Sequence, residues 1–315
     1  MTEPVLVTHG LTKRYGHAKA VDSVDLTLAR GEIYGLVGRN GAGKTTLIRM
    51  AAGQAIPTEG ELSLFGETTP AGLSKARART GAMVEIPSFY PYLSARENLE
   101  FYRLQRGIPG RGVVDEALEY VGLSGVGAKK FKSFSLGMKQ RLGLALALMN
   151  HPDFLLLDEP INGLDPEGIV EFRTILRTLN QERGTTILIS SHILSELSNV
   201  ATCYGFLDKG RLLEQISARA LHDKCRACLE LTVGDTAKAA TVLETAVGTT
   251  DFEVLPRGII RLYDQLDAPQ KVTAALAGAW IATNLDVAVL RKPFGVYLLL
   301  SGVSLLWPQR RKKQA

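Results

Sequence analysis

The chain has 315 residues, 45% hydrophobic and 22% charged, a balance that fits a globular protein with a sizeable core and excludes a disordered one. Its net charge of +5 comes from 37 basic and 32 acidic residues scattered along the chain, so no nucleic-acid partner is implied. Three cysteines, Cys203, Cys225 and Cys228, suit a reducing compartment, and Met1 to Gly10 lacks the basic flank and apolar core of a secretory signal, so a cytoplasmic protein is expected.

In chain order, Val5 to Thr8, Val24 to Leu28 and Ile33 to Val37 read as strands, the last two joined by the turn Ala29-Arg30-Gly31-Glu32. Between Val37 and a helix over Lys44 to Ala52 lies Gly38-Arg39-Asn40-Gly41-Ala42-Gly43-Lys44-Thr45, followed by Thr46. This is a complete match to the glycine-rich pattern whose backbone N–H groups wrap nucleotide phosphates, in the strand-loop-helix setting that pattern needs. Lys44 brings a point charge to the outer phosphates, Thr45 a hydroxyl for Mg²⁺, and the helix N-terminus partial positive charge.

Glu61 to Phe65 and Gly81 to Val84 are further strands. Ser94-Ala95-Arg96-Glu97 is a capping box opening a helix to about Arg106; Gly107 to Gly112 breaks it and Val113 to Val121 forms a second. A long helix over Leu136 to Met149 is expected to gather Leu142, Ala145, Leu146 and Met149 on one face. Then come strand Phe154 to Leu157, helix Pro166 to Asn180 with Asp165 as N-cap, and strand Thr186 to Ser190, an alternation that implies a parallel sheet. A hairpin-like pair, Ala201 to Leu207 and Arg211 to Gln215, turns at Asp208-Lys209-Gly210 and closes a first domain, residues 1–216.

Residues 217–315 read as a helix, strand Ala227 to Val233, helix Thr236 to Ala246, strands Phe252 to Leu255 and Ile259 to Tyr263, helix Pro269 to Ala279 and strand Leu285 to Leu290, two βαβ halves resembling a small ferredoxin-like unit. Cys225 and Cys228 have metal-ligand spacing with His222 three residues earlier, but a structural zinc site wants four ligands, so small side chains at a strand start are expected. Phe294 to Trp307 is 14 residues long and interrupted by Gly295, Ser301, Gly302 and Ser304, a terminal packing helix rather than a bilayer span. Arg310 to Lys313 reads as a solvated terminus in preference to a contact with an anionic membrane.

The run Phe154 to Leu157 delivers Asp158 and Glu159 to the C-terminal end of a buried strand, where open α/β sheets bind ligands. Asp158 is placed to hold Mg²⁺ through water; Glu159 is placed to polarise the attacking water as general base or to orient it. His192, after the next strand, can contact the γ-phosphate. Tyr15 either stacks on adenine or packs in the core.

The phosphate loop, Ser135-Leu136-Gly137-Met138-Lys139-Gln140-Arg141, the Asp158-Glu159 strand, Gly163-Leu164-Asp165 and His192, in that order over roughly Pro4 to Gln215, resemble the ATP-binding cassette family. The resemblance implies an α/β P-loop NTPase cassette with an antiparallel β subdomain and a helical subdomain, here followed by a small α+β domain. It implies a head-to-tail homodimer binding ATP and Mg²⁺. Each ATP would lie between Lys44 of one copy and Ser135 and Gly137 of the other, Ser135 donating to the γ-phosphate, with Asp165 facing the other copy's phosphate loop.

Two departures stand out. Leu136 and Met138 replace a glycine and a glutamine of the usual signature, and Glu85 stands where the family carries a glutamine near Mg²⁺, a place where a carboxylate still ligates the metal. With the phrase Ser88 to Leu99, the variant resembles exporters of the bacitracin-resistance and peptide-antibiotic immunity type, whose integral membrane permease is a separate chain. Phe89, Tyr90 and Tyr92, punctuated by Pro87 and Pro91, either receive a short permease helix or pack within the helical subdomain. The expected function is thus an ATPase subunit on the cytoplasmic membrane face powering export. The alternative, a soluble cassette protein remodelling ribosomes or DNA, is disfavoured by a single cassette and by only 97 positions between Gly38 and Ser135.

Overall fold

The computed structural model describes residues 3–85 and 88–278 and the backbone of Val287–Leu290. Pro87, the expected helix over 294–307, the basic run 310–313 and the first residues of the expected strand from Leu285 lie outside the described residues. The chain divides into two compact units, Met1–Arg219 and Ala220–Ala315.

The first unit runs β1 (Pro4–Tyr15), β2 (Ala18–Ala29), β3 (Ile33–Val37), α1 (Lys44–Ala52), β4 (Glu59–Leu64), α2 (Pro70–Ala78), β5 (Thr80–Met83), α3 (Ala95–Gln105), α4 (Gly112–Tyr120), α5 (Leu136–Leu148), β6 (Phe154–Leu157), α6 (Pro166–Arg183), β7 (Thr186–Ser191), α7 (Leu194–Leu197), β8 (Cys203–Asp208) and β9 (Arg211–Ser217). A six-stranded sheet of order β5-β6-β7-β3-β8-β9 is parallel except for β9, and β2-β1-β4 form a separate antiparallel sheet. The strands β3, β6 and β7 are buried along their whole length, as parallel strands covered on both faces must be, which explains their unbroken apolar runs. One core joins the two sheets around α1, from Leu6, Val24 and Leu26 through Leu47 and Ile48 to Leu36 and Leu156. Helices α3, α4 and α5 pack on one another as a helical layer.

Four differences from the sequence reading have physical causes. Strand β1 continues to Tyr15 instead of ending at Thr8, because register shifts after Thr8 and Leu11 break the alternation that marks a strand. Helix α2 was not expected; its small residues hide the periodicity, while Thr69 caps it by accepting the Gly72 N–H at 3.1 Å, with Pro70 in its first turn. Helix α5 has no single buried face: every residue from Leu142 to Leu148 is buried, so it is a core helix apolar all round. Helix α6 runs on to Arg183, stopped by Gly184 at φ 64°.

The second unit continues from α8 (Ala218–Cys225) with β10 (Cys228–Thr232), α9 (Thr236–Val242, extended by a π turn over Leu243–Val247), β11 (Phe252–Leu255), β12 (Ile259–Leu262), α10 (Pro269–Gly278) and β13 (Val287–Leu290). Its sheet has the order β11-β12-β10-β13 with every pairing antiparallel, the β-α-β-β-α-β arrangement of a ferredoxin-like unit. Leu229, Leu231, Ile260 and Leu262 meet Ala239, Leu243, Val272 and Leu276 in a small core. Among the described residues no group of three or more His, Cys, Asp or Glu comes together to hold a metal, and no helix is long and apolar enough to cross a membrane.

Candidate active site

The loop between β3 and α1 is pressed against its neighbours so closely that two of its positions admit only glycine. A methyl group on Gly38 would lie 2.4 Å from the Leu207 carbonyl oxygen, and one on Gly43, at φ 106°, would lie 2.3 Å from that of Ala20. Arg39, Asn40 and Gly41 form the exposed tip, and Ala42 closes the turn by donating its N–H to the Arg39 carbonyl at 3.0 Å. Gly43 provides no side-chain cap, so the first turn of α1, with Thr45 and Thr46 half-buried in it, has the uncapped N-terminus that suits an anion.

The ends of β6 and β7 bring the polar groups together. Asp158 accepts from the Thr45 hydroxyl through Oδ2 and from the Ser190 hydroxyl through Oδ1, both at 2.7 Å. Glu159 donates its N–H to Ser190 Oγ at 2.9 Å and holds φ 46°, a left-handed backbone that disfavours a non-glycine residue by about 1–2 kcal/mol. Its carboxylate is shared between Lys44 Nζ at 3.1 Å and His192 Nδ1 at 2.9 Å. Since a carboxylate only accepts, Nδ1 carries the proton in that contact. Lys44 is buried and spends its other protons on the carbonyls of Gly38 and Arg39, at 2.7 and 3.1 Å. Ser191 shapes the turn before α7: its hydroxyl accepts from the Ile193 N–H at 3.0 Å, and its carbonyl accepts from Gly38.

The signature segment lies elsewhere. Ser135 is the N-cap of α5, its Oγ accepting from the Met138 N–H at 3.3 Å, which leaves the hydroxyl proton available to donate. Gly137 sits in the first turn, where an added methyl would meet only Leu164 at 3.7 Å. With Gly163 and Asp165 they line an open concavity of about 430 Å³, across which Arg141 and Glu171 form an ion pair at 3.3 Å. Asp165 caps α6 by accepting from Gly168 at 3.0 Å. Among the described residues no hydrogen bond or ion pair joins Ser135, Gly137 or Asp165 to Lys44, Thr45, Asp158 or Glu159 within one chain.

Two other expected residues stand apart. Glu85, at φ 62°, gives its carboxylate to Arg49 at 2.5 Å rather than to Thr45 or Asp158. Tyr15 is 51% exposed at the β1–β2 hairpin tip with Lys13 Nζ 5.1 Å from its ring, so it is not a core residue. The aromatic loop divides: Phe89 is buried against Tyr102 and Phe131, whereas Tyr90 and Tyr92 face outward. Asn98, fully buried, organises this loop by accepting from the Tyr90 N–H and donating to the carbonyls of Tyr90, Leu93 and Ser94. Ser190 and Arg49 escaped the sequence reading. A serine inside a fully buried strand needs a polar partner, and that was the available signal for Ser190.

Known proteins resemble this chain in sequence and fold. A family model described as ABC transporter matches residues 21–162. The bacitracin transport ATP-binding protein BcrA of Enterococcus faecalis is 45% identical over 262 residues, 83% of this chain and 85% of the relative. The lantibiotic transport ATP-binding protein SrtF of Streptococcus pyogenes is 39% identical over 66% of this chain and 89% of its own length. A solved dimeric bacterial ABC transporter cassette superposes with a TM-score of 0.62 at 26% identity, over 68% of this chain and 99% of its own.

Proposed function

The chain belongs to the ABC transporter ATP-binding proteins, and from that membership we propose how its own residues work. It binds ATP and hydrolyses it as the nucleotide-binding subunit of a transporter. We assign residues 1–216 to the cassette and 217–315 to an accessory domain. The exported compound is of the bacitracin or peptide-antibiotic class, carried by a separate integral membrane permease that holds this subunit at the cytoplasmic face.

The observation that carries the reading is the chain Lys44–Glu159–His192 at the mouth of the phosphate loop. Phosphate oxygens entering the loop compete with Glu159 for Lys44 and free one carboxylate oxygen, which then takes the proton of the attacking water. His192 keeps the other carboxylate oxygen fixed and, on this reading, turns its remaining ring nitrogen to the γ-phosphate. The donors Thr45 Oγ1 and Asp158 Oδ2 are hard oxygens carrying one negative charge, a set that fits Mg²⁺. Bound there, the ion would neutralise phosphate charge. Glu85, held by Arg49, stands ready to join that shell through water. Ser135 and Gly137 complete the site of a second copy, Ser135 through its unused proton and Gly137 through its N–H, with Asp165 beside that copy's loop. Tyr15 stacks on the adenine, and Arg39 and Asn40 frame the phosphates. The exposed Tyr90 and Tyr92 meet the permease.

Co-expression with a permease tests the whole reading: the pair should raise tolerance to bacitracin, and Glu159→Gln should remove that tolerance while ATP binding persists. Unchanged tolerance with the wild-type pair overturns the substrate class; unchanged ATP hydrolysis in Glu159→Gln overturns the role of the carboxylate.

A further inference from the structure

Ser190 is fully buried on β7, and its hydroxyl closes a ring with two consecutive residues of another strand end. A serine hydroxyl has one proton and can accept. The Glu159 N–H must donate, so at 2.9 Å Oγ is the acceptor there, and its own proton goes to Asp158 Oδ1 at 2.7 Å. The peptide linking Asp158 to Glu159 is therefore pinned on both sides by one atom. That peptide enters a left-handed residue, Glu159 at φ 46°, with no glycine to relax it. Rotation of that peptide plane would break the bond to Ser190, and the accompanying turn about the Glu159 N–Cα bond would swing the carboxylate off Lys44 and His192.

We propose that Ser190 is a positioning residue for hydrolysis: its hydroxyl locks the backbone of Glu159 so that the carboxylate meets the attacking water, while coupling that backbone to Asp158. The inference rests on Glu159 acting on the water. Polarisation along the run from the Glu159 N–H through Ser190 to Asp158 strengthens each bond, because neighbouring hydrogen bonds reinforce one another in a low-dielectric interior. A misplacement of about 1 Å at such a group can slow turnover of order 10²-fold.

The test is steady-state hydrolysis by the full-length chain with its permease, together with nucleotide affinity and thermal unfolding. Ser190→Ala should lower kcat about 10- to 100-fold while KM and nucleotide affinity stay near the parent. Ser190→Thr, which keeps the hydroxyl, should recover most of the rate. In a Glu159→Gln background, Ser190→Ala should add nothing, since both changes disable one unit. A kcat within about twofold of the parent for Ser190→Ala, or a full additional loss in the Glu159→Gln background, overturns the proposal. So does a loss of affinity and melting temperature in step with the rate, which assigns the hydroxyl to folding alone. If Glu159→Gln itself turns over like the parent, the reading of Glu159 has failed and this proposal goes with it; if Glu159→Gln is dead and Ser190→Ala is normal, only the role of Ser190 has failed.

Discussion

The phosphate-loop cluster and the signature rim are built on opposite plans. Around Lys44, Thr45, Asp158, Glu159, Ser190 and His192 the polar side chains satisfy one another in a closed set. Ser135 and Asp165 each cap their own helix, and a concavity of about 430 Å³, crossed by the Arg141–Glu171 ion pair, opens beside them and Gly137. The polar side chains of the first region find their partners within one chain; on the reading proposed above, the second meets the nucleotide of another copy. If the proposed reading holds, the two halves answer to different measurements: the loop to nucleotide binding and chemistry, the rim to association.

The largest expected effect breaks the closed set. Glu159→Gln should lower hydrolysis of order 10²-fold or more with ATP affinity retained, measured by steady-state rates and equilibrium binding. Lys44→Ala removes a buried charge with three acceptors, and ATP affinity of the isolated chain should fall about 10- to 100-fold, since hydrogen bonds to charged groups contribute about 1.5–3 kcal/mol. Ser135→Ala should sharpen the contrast: affinity in the isolated chain unchanged, ATP-driven dimerisation and dimer turnover reduced about tenfold, read by gel filtration and rate. Equal losses of monomer affinity for Lys44→Ala and Ser135→Ala would erase the distinction between the two regions.

The smallest effect belongs to the helical layer that carries the rim. Glu97 donates its charge to the α3 capping box, and the Ser94 N–H, the Ser94 hydroxyl and then Lys130 hold its carboxyl down at about 2 against an ordinary 4.5. A carboxyl lowered by folding stabilises above its unfolded value and loses that contribution as pH falls from 4.5 towards 2. Glu97→Gln should therefore melt slightly lower than the parent near neutral pH, and the two melting temperatures should converge in acid.

Legibility from sequence followed the range of the interactions involved. Strand β3, helix α1 and strand β6 match their expected bounds because continuous burial and a contiguous motif write them locally. The α3 capping box is likewise complete within four residues, and both of its reciprocal hydrogen bonds are present. By contrast, the bulges of β1 take their meaning from β2 and β4, and the small residues of α2 and the all-round burial of α5 depend on what packs against them. The site divides the same way. Lys44, Thr45, Asp158, Glu159 and His192 are marked by motif, but their mutual bonds are long-range, 113 residues apart for Thr45 and Asp158 and 33 for Glu159 and His192. Ser190 looked like one more strand residue because its partners lie 31 and 32 positions away.

Arg49, which grips Glu85, and Lys44, which grips Glu159, stand on the same nine-residue helix. Five residues of rise separate them, about 7.5 Å along a stiff rod. Helix α1 thus carries two carboxylate contacts on one rigid element, an exposed pair with Glu85 near its C-terminal end and the buried Lys44 with Glu159 at its N-terminal end.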